Sequence, residues 1–170
     1  MEELFYGCQK EIHFKRHAFV SDKAEKVVEC SRIIEVKPGM GHNELRYSGE
    51  GHHRFAQKPG DLVVKFSQKP HQKFKRQNND IIYLHKISLL DSLKSSPVHF
   101  TTIDNQMMEA AVDEVISQKT EKVIPNMGMP ILNNDPLGPI KRNFQRGNLI
   151  IRFDIQFPTE LSDKQRLAIT

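Results

Sequence analysis

The sequence predicts a mainly β protein built as two tandem β-sandwich-like subdomains, with short helices and the start of a C-terminal helix. Three observations carry this. Apolar and polar residues alternate with a period of two over short runs; Gly, Pro, Asn and Asp bound those runs; and one run occurs twice, half the chain apart. The duplicated run is Gly60-Asp-Leu-Val-Val-Lys-Phe66 and Gly147-Asn-Leu-Ile-Ile-Arg-Phe153, alike in type at every position. Each copy is followed by a proline, Pro70 or Pro158, so the repeat marks two related units.

Taken in order, Glu2 to Tyr6 makes an opening helical turn. Ile12 and Phe14 then alternate with His13 and Lys15, and Ile34 and Val36 with Glu35 and Lys37, as strands with one buried face. Leu62, Val64 and Phe66 repeat the pattern. The polar, Pro-containing stretch from Gln68 to Asp80 has no period and reads as a hinge-like connector between the units. Ser88-Leu-Leu-Asp91 has the spacing of a capped helix start, so a helical turn follows over Leu89 to Leu93. The strongest strand is Asn148 to Phe157, where Leu149, Ile151, Phe153, Ile155 and Phe157 share a face opposite Arg152, Asp154 and Gln156. Most pairing is expected to be antiparallel. Ser162-Asp-Lys-Gln165 begins a last helix, with only Asp163 to Thr170 to occupy, short of the roughly 12 to 15 residues that hold together alone.

Composition bounds the function. The 170 residues, 38% hydrophobic and 27% charged, suffice for one ordinary domain or two small ones with real cores. Lys and Arg total 25 against 21 Asp and Glu, a net charge of +4 with both signs interspersed, so no nucleic-acid partner is expected. No apolar run approaches the roughly 18 to 20 residues of a bilayer span, and no leader pattern opens the chain, so a soluble protein with no membrane partner is expected. Cys8 and Cys30 have neither disulfide-framework nor zinc-knuckle spacing, which favours a reducing, cytoplasmic compartment and a filler role for both.

Catalytic signatures fail one by one. Gly39-Met-Gly41 and Gly49-Glu-Gly51 fall between strands and lack the later glycine or lysine of a phosphate loop, so they read as turns. The eight histidines, His52-His53 included, show no ligand spacing with cysteine or acid partners. No nucleophile elbow is present, and Asp104, Asp113 and Glu114 sit among polar neighbours. The expectation is a protein that is not an enzyme, with no cofactor and no metal.

Several short motifs, in order, resemble one family. They are Met1-Glu-Glu-Leu-Phe-Tyr-Gly-Cys8, Val36-Lys-Pro-Gly39, Ser48-Gly-Glu-Gly51, Pro59-Gly-Asp-Leu62, His71-x-x-Phe-Lys-Arg76, Asp80-Ile-Ile-Tyr83, Thr102-Ile-Asp104, Val123-Ile-Pro-Asn-x-Gly-Met-Pro130 and Arg146-Gly-Asn-Leu149. Together they resemble the C-terminal region of class B J-domain proteins, the forty-kilodalton heat-shock co-chaperones. The chain lacks the His-Pro-Asp tripeptide and Gly/Phe-rich linker of the whole protein, and the repeated Cys-x-x-Cys of class A members. Met40 stands where the family often has Trp, and Asp104-Asn-Gln106 departs from the usual Asp-Gly-Arg.

The resemblance implies a first client-binding subdomain over 1–76 that lacks its first strand, a second over 77–158, and the start of a truncated dimerisation helix over 159–170. It implies two partners, unfolded client polypeptides and the seventy-kilodalton heat-shock chaperone. The client groove is expected at Ile12, Phe14 and Phe74: the first two point to one side of a strand, and Phe74 sits in the connector, where no core requirement accounts for an aromatic. An apolar groove beside an open strand edge binds extended peptides with loose selectivity. The acidic tail of the partner chaperone is expected at Lys10 and Lys15, with Lys23 and Lys26 as further cations, although Glu11 and Glu29 stand where the family often places basic residues. An alternative is a structural scaffold paralogue, such as a ciliary assembly subunit, that uses the fold without general client binding. The few apolar residues after Ser162, namely Leu167, Ala168 and Ile169, supply only a few kcal/mol at about 25 cal/mol per Å², against an association cost of about 4 kcal/mol or more. A monomer or weak dimer is therefore expected of this chain, and a homodimer of the full-length protein.

Overall fold

In the computed structural model the described residues are 1–21, 24–41, 44–55, 57–94, 96–132 and 145–169. Each alternating run read from the sequence coincides with a strand. The chain divides into two compact units, Met1–Pro70 and His71–Ile131 with residues 145–169.

The first unit opens with α1 (Glu2–Tyr6), followed by β1 (Cys8–Ser21), β2 (Ala24–Val36), β3 (Glu44–Tyr47) and β4 (Leu62–Lys65). β1 and β2 form a long antiparallel hairpin with Cys8 opposite Val36, and β3 and β4 form a short one with Tyr47 opposite Leu62. Directly opposed residues of an antiparallel pair share a face. Lys10 with Ile34, Ile12 with Arg32 and Phe14 with Cys30 therefore lie on one face, and His13 with Ser31 and Lys15 with Glu29 on the other. The first face holds the core, in which Phe5, Ile34, Val36 and Met40 are buried. Gly7 turns the chain from α1 into β1 at φ 78°, and a Cβ there would meet Pro38 Cδ and the Val36 carbonyl at 2.9 Å, so only glycine fits.

The second unit contains β5 (Phe74–Gln77), β6 (Asp80–Ser88), α2 (Leu89–Leu93), β7 (Val98–Thr101), β8 (Met107–Ala110), β9 (Glu121–Ile124), β10 (Leu149–Gln156) and α3 (Asp163–Ile169). Its main sheet has the order β5-β6-β10-β9, and β7-β8 is a separate hairpin. β10 runs parallel to β6, Leu149 opposite Ile81 through Gln156 opposite Ser88, and antiparallel to β9; every other ladder among the described strands is antiparallel, as expected of most pairing. The long connection between β6 and β10, which carries α2 and the β7-β8 hairpin, supplies the crossover that a parallel pair requires. Ile81, Ile87, Leu149, Ile151 and Phe153 are buried along this pair, and Val98, Phe100, Ile103, Val112, Ile116 and Met129 complete the core. Phe157, read as the last residue of the apolar face, lies beyond the end of β10 and is 63% exposed.

Part of the predicted connector is a strand. β5 pairs with β6 through an Asn78-Asn79 turn, with Asn78 at φ 54°, and so lies within the second unit. The predicted caps are present. Ser88 Oγ accepts from the Asp91 amide at 3.1 Å, and at α3 Ser162 and Gln165 bond reciprocally, Gln165 Oε1 accepting from the Ser162 amide at 2.9 Å.

Candidate functional site

The first unit carries a groove of about 260 Å³ between α1, the adjoining ends of β1 and β2, and residues 66–69. Leu4, Cys8, Val36 and Phe66 give it an apolar lining, and Glu3, Lys10 and Lys69 place charges around it. Local chemistry fixes each wall. Phe5 anchors α1 in the core, and the Leu4 carbonyl accepts from the Gly39 amide at 2.7 Å, which ties the helix to the Lys-Pro-Gly turn after β2. Lys10 sits opposite Ile34 on the core face of the hairpin, so its charge has to leave that face for solvent. It does so toward Glu3, with its ammonium 2.7 Å from the carboxylate. The hydrogen bond from Lys10 and its charge hold the Glu3 carboxyl below its ordinary range, and the same bond raises Lys10.

Ile12 and Phe14 follow Lys10 on the same face, both half-buried. Ile12 lies opposite Arg32, whose guanidinium stands 3.7 Å from the Tyr47 ring centroid and is ion-paired with Glu50. Phe14, with Cys30, borders a second hollow of about 390 Å³. The structure thus gathers Lys10, Ile12 and Phe14 on one surface. Lys15 stands on the opposite face of β1 from Lys10, paired with Glu29 at 2.9 Å, because residues five apart on a strand point to opposite sides. Lys26 is exposed, and Lys23 lies outside the described residues.

Phe74, expected in the groove for want of a core requirement, has one. It is 6% exposed, its ring stacks on His71 at 5.1 Å and meets Tyr83 at 5.6 Å, and it belongs to the core of the second unit. The aromatic in the polar stretch has a core requirement after all, supplied by a strand too short to show a period.

Leu4, Phe66 and Lys69 border the groove but were absent from the sequence-derived site. Phe66 was visible as an apolar strand position. Lys69 carried no local signal, since its relation to Glu3 and Lys10 arises only when the end of the first unit returns to its beginning. The hairpin also offers open edges: among the described residues β1 and β2 pair only with each other. One place on β1 is capped, where the His17 amide donates to His52 Nδ1 at 3.0 Å and the His53 amide donates to the His17 carbonyl at 2.8 Å.

Residues 1–158 match the family model described as DnaJ C terminal domain. The chain belongs to this family. DnaJ homolog subfamily B member 13 of Homo sapiens is 30% identical over 168 residues, 98% of this chain and 51% of that protein. Chaperone protein dnaJ 2 of Arabidopsis thaliana is 34% identical over 152 residues, 86% of this chain and 34% of that protein. A Dictyostelium discoideum relative named for subfamily A member 1 is 28% identical over 146 residues, 83% of this chain and 30% of its own length. The chain therefore spans about half or less of these DnaJ relatives, and they carry both subfamily names. No helix among the described residues is long and apolar enough to cross a membrane.

Proposed function

We propose that this chain is the client-binding and partner-docking part of a class B J-domain co-chaperone, acting in the cytoplasm on unfolded polypeptides together with the seventy-kilodalton heat-shock chaperone. The observation that carries this reading is the groove of the first unit, in which an apolar lining of Leu4, Cys8, Val36 and Phe66 adjoins the cations Lys10 and Lys69. An extended peptide gains main-chain hydrogen bonds along an open edge of the hairpin and buries alternate apolar side chains, which gives affinity with little selectivity. A carboxylate-rich tail engages Lys10 and Lys69. Each exposed pair contributes only about 0.2 to 1 kcal/mol, so several must act together.

One observation favours the scaffold reading: Glu3 already occupies Lys10, so an incoming acidic tail has to displace an internal carboxylate. Suppression of aggregation of a chemically denatured test protein separates the two. A client-binding module delays aggregation at near-stoichiometric ratios and loses the effect on Ile12→Ser with Phe66→Ser. Aggregation unchanged by the unsubstituted chain would leave the scaffold reading standing.

A further inference from the structure

The loop that follows β3 is fastened to the far end of β1 and completes its edge at one residue. The His17 amide donates to His52 Nδ1 at 3.0 Å, and the His17 carbonyl accepts from the His53 amide at 2.8 Å. These are the two main-chain bonds, one donated and one accepted, that a neighbouring strand makes with a residue of an antiparallel ladder. Other bonds hold the loop in this place. Arg32 is ion-paired with the Glu50 carboxylate, and Arg16 donates to the Glu50 carbonyl at 3.4 Å. The Gly51 amide donates to the Gly60 carbonyl at 2.8 Å and the Gly60 amide to the His52 carbonyl at 2.9 Å, which ties the loop to its own return.

The position of this cap sets what the rest of the edge offers. Along an antiparallel ladder, residues bonded to the partner strand alternate with residues whose amide and carbonyl face away from it. His17 faces away from β2, and the register runs without a shift from Cys8 to Phe19, so Gln9, Glu11, His13 and Lys15 face away as well. An added strand can therefore pair along residues 9–15 and meets the loop at His17. A loop that served only to shield the edge would cover that stretch too. An antiparallel peptide whose first residue faces Lys15 sets its second, fourth and sixth residues opposite Phe14, Ile12 and Lys10 on the core face. Sliding it two residues onward would bring it onto His52 and His53.

We propose that the loop carrying His52 and His53 is a register stop for strand addition: it blocks the β1 edge at His17, fixes the frame in which an extended peptide pairs with residues 9–15, and so selects segments whose apolar side chains fall opposite Phe14 and Ile12. The inference rests on the strand-addition reading of client capture and adds the frame to it. His52 is a positioning residue that acts through the main chain of His17. Its side chain is exposed, so substituting it removes no core contact.

The test is NMR titration of the whole chain with two heptapeptides of threonine and serine, one carrying leucines at its second and fourth positions and the other at its fourth and sixth. The unsubstituted chain is expected to bind the first about tenfold more tightly, since the second brings both leucines opposite Phe14 and Ile12 only by sliding past His17. His52→Ala with His53→Pro removes both bonds of the cap and is expected to bring the two affinities within about twofold of each other. In the free protein the same double substitution is expected to speed hydrogen exchange of the His17 amide by about tenfold, with the amide of buried Ile34 unchanged as a check that the hairpin stays folded. His52→Asn, whose Oδ1 can accept where Nδ1 did, is expected to keep the parental preference. A loop with a merely structural role would shift both peptides alike. Equal affinity of the unsubstituted chain for the two peptides, a preference that survives the double substitution, or a His17 amide whose exchange it leaves unchanged overturns the proposal and leaves client capture standing. Binding of neither peptide overturns the strand-addition reading itself and the stop with it.

Discussion

The Glu3 carboxylate lies 2.7 Å from the Lys10 ammonium, so the cation best placed to receive an acidic tail already has an internal partner. Both groups are exposed, so the pair is a competitor rather than a stabilising element. Glu3→Gln should therefore strengthen binding of an acidic peptide ending in Glu-Glu-Val-Asp by a few-fold, and Lys10→Ala should weaken it. Both effects should fade as salt rises past about 0.15 M, where screening acts over roughly 8 Å. Calorimetry over a salt series checks this, and affinity indifferent to Glu3, Lys10 and salt removes the tail site.

Phe74→Ala should act on stability. Burial of the ring between His71 and Tyr83 means that truncation leaves a cavity in the second unit, at a cost of about 3 to 5 kcal/mol. Phe66→Ser, at a half-buried groove position, should cost less and lower client capture instead. Denaturant melts of the two variants beside an aggregation assay distinguish them. A Phe74→Ala chain of normal stability and impaired peptide binding would return Phe74 to the site.

Local chemistry made much of the fold legible. The alternation of Leu149, Ile151 and Phe153 declares β10, and Ser88 and Ser162 declare two helix starts, because period and caps depend on residues a few positions apart. Partner choice is not local. Nothing within Asp80 to Ser88 says that its neighbour is β10 in parallel rather than the next strand in antiparallel, since the direction is set by a long crossover. The site divides the same way: Lys10, Ile12 and Phe14 follow from one strand's period, whereas Lys69 reaches the groove through tertiary return.

His85 gives the second unit a pH dependence. Burial pushes this imidazole below the usual histidine value. A depressed folded value means that the unfolded chain takes up the proton first, so stability is full above about pH 6.5 and falls as the pH drops from there toward the folded value. His85→Gln should flatten the difference in Tm between pH 7 and pH 5. A difference identical in the two proteins would assign the acid sensitivity to other groups.

The two glycines that open the duplicated run, Gly60 and Gly147, are equivalent in sequence and opposite in surroundings. At Gly60 a Cβ would find nothing closer than the His52 carbonyl at 3.7 Å, an ordinary contact. At Gly147 it would fall on the Asn79 carbonyl and stand 2.8 Å from Asp80 Oδ1. The crowding has a cause: here the parallel ladder begins, with the Gly128 amide donating to the Gly147 carbonyl at 2.7 Å, the Met129 amide to the Asn79 carbonyl at 2.8 Å and the Asn148 amide to Asp80 Oδ1 at 2.6 Å. These neighbours are mostly backbone and cannot swing aside as a flexible side chain would. Gly147→Ala should therefore cost about 3 kcal/mol or more by forcing β6 and β10 apart at their start, while Gly60→Ala should stay within about 0.5 kcal/mol of the parent. Equilibrium unfolding of both variants decides it. Equal effects at the two positions would mean that the close approach of Gly147 to Asn79 is not a feature of the folded chain.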